Sequence, residues 1–201
     1  MPHIISASRR TDIPAFYSEW VMNRIRAGYC RVINPLYPDQ KTNPVDLSPD
    51  AVECLVFWTR NPKPLMRHLD ELDRLGYAYY FLYTLIGYPA LFDPGSPPAE
   101  DAVRTFQTLS RRLGSDRVIW RYDPVILTNL TTVEWHQRQI AHLARALSGL
   151  TTKMIFSFLI DYAHAKPRYE RVKARGVKFC DKASGPGHQE MLARWIGKAL
   201  P

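Results

Sequence analysis

Residues 4–14 read IISASRRTDIP, and in them an apolar run passes directly into hydroxyls, guanidiniums and a carboxylate. The same change from apolar to polar recurs at residues 57–61 (FWTRN), 83–84 (YT), 120–123 (WRYD) and 160–161 (ID). Each change falls where a buried strand is expected to end, and the sites of barrel folds lie at the carboxyl ends of parallel strands. The pattern therefore predicts a barrel-like α/β domain with a polar pocket at its strand ends.

Strand patterns alternate with helical patterns along the chain, which predicts parallel strands joined by right-handed helical crossovers. A complete eight-stranded barrel usually takes about 250 residues, whereas this chain has 201. We therefore expect an incomplete (β/α) TIM-like barrel of about six to seven mainly parallel strands, forming one domain over residues 1–201. The expected strands are residues 4–8, 30–34, 54–59, 77–85, 117–122 and 152–160, with a seventh at residues 177–180.

Two proline-rich segments interrupt this alternation. Four prolines within residues 35–49 oppose a helix and predict an excursion over one end of the sheet, with a loose hairpin as one form of it. Four more prolines within residues 87–98 predict a long loop after a strand end. Loops of that length in compact domains are often lids or binding loops.

The composition is that of an ordinary globular protein, with 46% apolar residues. No apolar run reaches the roughly 18 residues of a membrane span, and the first residues lack the profile of a signal peptide. We therefore expect a cytoplasmic protein without a membrane partner. The three separated cysteines, Cys30, Cys54 and Cys180, indicate neither a disulfide framework nor a C-x-x-C site, and the six histidines form no ligand motif. We expect no metal site built from protein residues.

The net charge of +8 favours anionic partners. The excess is concentrated in the C-terminal quarter, where residues 166–182 contain seven Lys or Arg and Lys153 is a further contributor nearby. Nucleic acid is one explanation of this basic region, and a solvated helix face is the other. The sequence indicates no oligomeric state.

Three residues are candidates for catalysis because each combines a charge with a strand-end position: Asp12, Arg121 and Asp123. Arg121 and Asp123 are two apart in an extended strand, so they share one side of it and form a candidate acid–base pair. Pairing with each other for stability is the alternative. Asp12, close to Arg9 and Arg10, either helps to grip a phosphate or carboxylate or caps the helix that follows.

Twelve residues are candidates for contacting a small anionic or nucleotide-like ligand. Arginines bind anions, aromatic rings stack on a base, and the backbone just ahead of a helix offers N–H groups to an anion. The alternatives are a place in the core for the aromatic residues, a salt bridge across the barrel mouth for one of Arg9 and Arg10, a capping role for Asn61, and a cap or turn role for Asp161. The set is Ser6, Ser8, Arg9, Arg10, Trp58, Thr59, Arg60, Asn61, Tyr83, Thr84, Tyr122 and Asp161.

Residues 5–17, ISASRRTDIPAFY, resemble the opening of an uncharacterised bacterial family that is known only as a domain of unknown function. The likeness continues through residues 56–62 (VFWTRNP), 83–85 (YTL) and 118–124 (VIWRYDP), within roughly residues 4–160. The resemblance implies a partial β/α barrel whose strand-end clusters belong to one recurring site. It transfers no catalytic roles, because the family has no assigned reaction.

The resemblance also implies a cofactor in longer relatives. Full-length members run on well beyond this length and end in a C-x-x-x-C-x-x-C segment, the kind that holds the iron–sulfur cluster of radical S-adenosylmethionine enzymes. This chain ends at Pro201 without that segment. We therefore expect no cofactor in this chain and restrict the cluster and S-adenosylmethionine to longer members, whether this chain is a truncated or a divergent form.

Two functions stay open at this point. The first is an enzyme, or the substrate-binding part of one, that holds a small anionic or nucleotide-like ligand at the carboxyl ends of the strands; the residue types do not select a reaction. The second is a non-catalytic nucleic-acid-binding or interaction module that uses the basic C-terminal region. Only the second predicts binding that falls steeply with salt.

Overall fold

The computed structural model describes residues 2–8, 10–33, 44–160, 166–180 and 185–199. The fold is mixed α/β and contains a five-stranded parallel sheet. The chain divides into two compact units, Met1–Tyr83 and Thr84–Pro201. The single domain over residues 1–201 stays a prediction.

The first unit is organised around a central parallel strand. Its elements in chain order are β1 (His3–Ser6), α1 (Ile13–Phe16), α2 (Ser18–Ala27), β2 (Tyr29–Cys30), β3 (Val45–Asp46), β4 (Val52–Thr59), α3 (Lys63–Met66), α4 (Leu69–Arg74) and β5 (Tyr79–Thr84). The last residue of β5, Thr84, already belongs to the second unit. Strand β4 pairs in parallel with β1 on one side and with β5 on the other. A strand with neighbours on both sides is buried, which explains its nearly unbroken apolar sequence.

The core of the first unit lies on the face of β4 and β5 that carries their aromatic rings. Phe57 packs against Tyr79 and Phe81, with ring centroids 6.3 and 5.3 Å apart. Leu69 and Leu72 of α4 are buried as well. Their spacing of three residues brings both side chains to one face of the helix.

The described part of the second unit contains four helices and a pair of parallel strands. Its elements are α5 (Ala99–Leu113), a 3-10 turn (Ser115–Arg117), β6 (Val118–Val125), α6 (Val133–Ala146), β7 (Met154–Phe158), α7 (Lys166–Lys173) and α8 (Gly185–Ala199). In the β6–β7 pair, Trp120 lies opposite Met154 and Tyr122 lies opposite Phe156. Apolar residues three apart on α5 and α6 are fully buried: Phe106, Leu109, Ile140 and Leu143.

The parallel sheet has five strands among the described residues, fewer than the six to seven predicted. The strand predicted at residues 30–34 corresponds to β2, which pairs antiparallel with β3 in a separate two-stranded sheet. The partner of β2 is a later segment of the chain, Val45–Asp46, and only the two residues Tyr29–Cys30 take part in the pairing. Of the seventh predicted strand, Phe179 makes a single antiparallel bridge to Thr128. Residues 34–43, in the predicted excursion, lie outside the described residues.

Among the described residues, no helix has the length and apolar character that crossing a membrane requires.

Candidate functional site

Asp12 joins two backbone segments of the first unit. Its Oδ1 accepts a hydrogen bond from the backbone N–H of Ala15 (3.0 Å), which caps the start of α1. Its Oδ2 accepts from the backbone N–H of Arg60 (2.7 Å), one residue beyond β4. Both carboxylate oxygens therefore serve backbone donors. This arrangement matches the capping alternative and leaves the carboxylate poorly placed as a proton acceptor.

Other candidates of the first unit make contacts with the backbone of nearby loops. Thr59 is buried, and its hydroxyl accepts from the N–H of Asn61 (2.9 Å). The side-chain oxygen of Asn61 accepts from the N–H of Lys63 (3.3 Å) at the start of α3. Arg10 is exposed and donates from Nη1 to the carbonyl of Ile33 (2.7 Å). These contacts are again between side chains and backbone, so they fasten the loops that follow β1 and β4.

Three more candidates of the first unit differ in exposure. Ser6 is exposed, and Trp58 is 36% exposed, so its ring remains accessible for stacking. Ser8 is 8% exposed, and its hydroxyl has no hydrogen-bond partner in the part of the chain that the structure describes. Arg9 and Asp161, both predicted to contact a ligand, lie outside the described residues.

The second unit brings four polar side chains together near the end of β5, within β6 and near the end of β7. Strand β6 continues to Val125, beyond the end predicted at residue 122, so Arg121 and Asp123 lie within it. Arg121 of β6 donates from Nη1 to the hydroxyl of Thr84 (3.2 Å) and from Nη2 to Oδ2 of Asp123. The hydroxyl of Ser157, on the neighbouring β7, donates to Oδ1 of Asp123. We call these four residues the Arg121 cluster. Its two charges balance each other, and they are fixed by hydroxyls from two other strands.

The two charged side chains of the Arg121 cluster differ in their exposure to solvent. The side chain of Asp123 is 11% exposed, and each of its oxygens accepts a hydrogen bond from the cluster. The side chain of Arg121 is 24% exposed. Asp123 is therefore the more buried of the two charged groups, and Arg121 is the more accessible one.

Tyr83 and Tyr122 have core positions, so neither ring is available to a ligand. Successive residues of a strand face opposite sides, which places Tyr122 on the side away from Arg121 and Asp123. Its hydroxyl bonds to Nδ1 of His136 on α6 (2.8 Å), and Nε2 of that ring lies 3.1 Å from the carbonyl of Ile126. Since a carbonyl only accepts, Nε2 carries the proton and Nδ1 accepts from Tyr122. Tyr83 and Tyr122 therefore lie in the core, which was the alternative to stacking on a ligand.

Burial keeps this tyrosine–histidine pair neutral. Desolvation lowers the pKa of His136 from 6.5 to about 4, although its hydrogen bond to Ile126 acts in the opposite direction. Desolvation likewise raises the pKa of Tyr122 far above its ordinary value. Both groups are therefore uncharged at neutral pH. Their position and protonation state give them a role in packing β6 against α6.

Two side chains that contact Asp123 or the backbone just after it were not among the predicted residues. Ser157 was not predicted, although a lone hydroxyl in the apolar strand MIFSF was a usable signal. Tyr88 was not predicted either. Its hydroxyl donates to the carbonyl of Pro124 (2.8 Å) and accepts from the N–H of Ile126 (2.7 Å), while its ring stacks on Trp135. Tyr88 thereby holds the backbone that directly follows Asp123.

The described residues contain no group of three or more His, Cys, Asp and Glu that is able to hold a metal ion. The thiols of Cys30 and Cys54 are 3.7 Å from the carbonyls of Arg31 and Leu55, and burial raises the pKa of both. A raised pKa disfavours the thiolate that a cluster needs. Burial therefore makes Cys30 and Cys54 poor cluster ligands, and the restriction of the iron–sulfur cluster to longer relatives stays a prediction.

Two cavities of about 590 and 580 Å³ lie in the second unit, and no residue of the Arg121 cluster lines either of them.

One family model, described as a domain of unknown function (DUF1848), matches residues 4–194 of the chain. The match extends beyond the region over which the sequence motifs indicated a resemblance. Neither the comparison with curated proteins nor the comparison with solved structures found a match. The bacterial origin and the cysteine-rich continuation stay predictions.

Proposed function

The chain belongs to the DUF1848 family, whose description names no function, and we propose that its second unit binds a small anionic ligand at Arg121. The observation that carries this proposal is that the guanidinium is held by Asp123 and Thr84 while 24% of the side chain stays exposed. Phosphate groups, including those of nucleotide-like molecules, and carboxylates are the ligand classes that fit. Enzymatic activity stays a prediction.

The guanidinium suits this role because its planar fork matches a phosphate or carboxylate with two parallel hydrogen bonds. A flexible arginine loses conformational freedom when it binds. Asp123 and Thr84 already restrict Arg121 before any ligand arrives. The ligand then meets a group that needs little further ordering.

Asp123 acts in this proposal as a positioning residue rather than as a base. Its oxygens accept hydrogen bonds from Arg121 and Ser157. Removing a proton from a substrate would require at least one of these bonds to break. In this proposal Arg121 binds the ligand and Asp123 holds Arg121 in position, in place of the predicted acid–base pair.

The finer description of the fold belongs to the same proposal. We take the parallel sheet to be part of an incomplete barrel, in which ligands bind at the carboxyl ends of the strands. Thr84 and Asp123 lie at or near the ends of β5 and β6. This position supports a binding site at the Arg121 cluster.

The proposal is tested by thermal unfolding of the protein with inorganic phosphate, adenosine monophosphate and succinate, each at low and at moderate salt. At about ten times the dissociation constant, a bound anion should raise the midpoint by about 2–4 °C. Arg121→Ala should abolish the shift. Arg121→Lys should lose most of it, because an ammonium keeps the charge without the fork.

The matched control is Arg104→Ala, which removes the same charge from an exposed pair with Asp101 on α5. It should leave the ligand shift unchanged. Arg121→Lys also guards against a folding artefact, since it retains a cation beside Asp123. Equal shifts in the parent protein and Arg121→Ala, or an equal loss in Arg104→Ala, would overturn the proposal.

A second candidate function is binding of nucleic acid by the basic region of the second unit. Six cations of residues 166–178 are exposed, and Glu170 is the one acid among these residues. The cations are Lys166, Arg168, Arg171, Lys173, Arg175 and Lys178. A solvated helix face explains the same pattern, so this candidate ranks second.

Salt distinguishes the two candidates. Binding of short single-stranded DNA should fall steeply with salt, because it depends on release of counterions from phosphates. Replacing Lys173, Arg175 and Lys178 together by Ala should weaken it, whereas Arg121→Ala should not. Failure of the triple variant to change DNA binding would remove the second candidate.

A further inference from the structure

We propose that the outer edge of β1 in the first unit binds an extended peptide segment as an added strand. The segment would carry an apolar side chain for an adjacent cavity and an acidic residue for Arg24. This inference is independent of the anion site, because every residue that supports it belongs to the first unit.

The first support is the backbone of β1. Among the described strands, β1 pairs with β4 alone. The N–H groups of His3 and Ala7 bond to Ala51 and Val56, on the side of β4. Because the backbone groups of a strand alternate in direction, those of Ile4 and Ser6 are directed to the other side. An extended peptide is able to use these groups as a template.

The second support is an apolar cavity of about 280 Å³ that runs along the same strand. All four residues from Ile4 to Ala7 line it, opposite Trp20 and Val21 of α2. Peptides that add a strand gain affinity from the backbone and specificity from pockets for alternate side chains. A cavity beside the open edge supplies such a pocket for one branched apolar side chain.

The third support is the exposure of large apolar side chains at the rim. Ile4 is 64% exposed, Trp20 45% and Val32 48%. These three residues all line the cavity. Single exposed apolar residues are ordinary, but several around one cavity form a patch of the kind that partners cover.

The positive charge beside the cavity favours an acidic peptide segment. Arg24 is the charged residue that lines the cavity, and its guanidinium lies 5.9 Å from the ring centroid of Tyr29. Arg10 donates to the carbonyl of Ile33, next to Val32 of the lining. A second copy docked edge to edge would bring the same arginines of two chains together, each with a net charge of +8. An acidic segment of a different partner is therefore the favoured occupant.

The experiment uses a fluorescent peptide with the sequence Glu-Val-Ile-Val-Glu, blocked at both ends, and measures anisotropy with the full chain. We expect saturable binding. A peptide with N-methylated valines should bind about tenfold more weakly, because it cannot donate to the edge. A peptide with Lys in place of both Glu should also bind about tenfold more weakly at low salt.

Variants of the protein test whether the peptide binds at the edge of β1. Ile4→Lys puts a charge on an exposed edge position, and it should abolish binding without lowering the unfolding midpoint. Arg24→Glu should exchange the preference between the Glu and Lys peptides. The matched control is Ile155→Lys, on another strand, where the replaced side chain is 39% exposed. It should leave peptide binding unchanged.

Several outcomes would overturn the inference. No saturable binding up to about 1 mM peptide, equal binding of the N-methylated peptide, or equal binding after Ile4→Lys would each do so. Concentration-dependent dimerisation that the peptide displaces would assign the edge to a second copy instead. Loss of peptide binding in Arg121→Ala would show that the peptide measures the anion site and not this edge.

Discussion

Asp12 lies beyond the end of β1 in the first unit, Asp123 lies two residues before the end of β6 in the second, and both accept two hydrogen bonds. The donors to Asp12 are backbone N–H groups of Ala15 and Arg60. The donors to Asp123 are the side chains of Arg121 and Ser157. The same residue type therefore holds the chain in one unit and holds a guanidinium in the other.

The type of hydrogen-bond donor therefore distinguishes a carboxylate that stabilises the fold from one that positions a side chain for binding. A carboxylate bound to backbone donors stabilises the segments that carry them, and its removal should be measured mainly as a loss of stability. A carboxylate bound to a partly exposed arginine determines where that arginine is directed. Its removal should be measured mainly as a loss of binding.

The largest expected effect is on stability, from Asp12→Ala. The variant removes the cap of α1 and leaves the N–H of Arg60 without its acceptor, at a cost of about 3 kcal/mol. Asp12→Asn should recover part of this, because one amide oxygen still accepts. Chemical denaturation measures both variants, and the anion-induced shift at Arg121 should survive in each.

The control for this prediction is Asp50→Ala, in an exposed turn of the same unit. It should change the free energy of unfolding by less than about 0.5 kcal/mol. If Asp12→Ala kept its stability and lost the anion shift, Asp12 would belong to a binding site and the comparison would be wrong.

The next effect is a dependence of stability on pH from His136. Its pKa of about 4 in the folded protein lies below its ordinary value of 6.5, so the unfolded chain binds the proton first as pH falls. The stabilisation is complete above about pH 6.5 and is lost as pH falls toward 4, by up to about 3 kcal/mol. Denaturation at several pH values should show this slope, and His136→Asn should flatten it.

His142→Asn is the matched control, since this histidine is exposed on the same helix. It should leave the slope in place. His136 lies on the face of β6 opposite the Arg121 cluster, so His136→Asn should also leave the anion shift unchanged wherever the variant is folded. An unchanged slope in His136→Asn would contradict the burial of a neutral imidazole.

The smallest effect is expected from Ser157→Ala. Asp123 loses one donor but keeps Arg121, so the cost should be about 0.5–1 kcal/mol. The anion shift should decrease and not vanish, because the guanidinium keeps its anchor. Ser148→Ala, at an exposed position, provides the comparison. Complete loss of the shift in Ser157→Ala would mean that this hydroxyl contacts the ligand itself.

Local patterns predicted much of the fold correctly. The parallel strands were placed close to their observed bounds, because buried strands have a distinct apolar run. The error at residues 30–34 arose because a short apolar run does not reveal its partner. β2 has two residues and pairs with β3, fifteen or more positions along the chain. No periodicity over a short window contains that information.

Local composition and periodicity predicted the approximate positions of the strands and helices and the charged groups near the strand ends, and the sequence motifs indicated the resemblance to an uncharacterised family. The tertiary structure alone decided the partners of those charged groups. Asp12 reaches Arg60 across 48 positions, and Ser157 reaches Asp123 across 34. It also decided that Tyr122 faces His136 while Arg121 faces Thr84 and Asp123. Such contacts depend on how strands register and which face each side chain occupies, and these are properties of the packed chain.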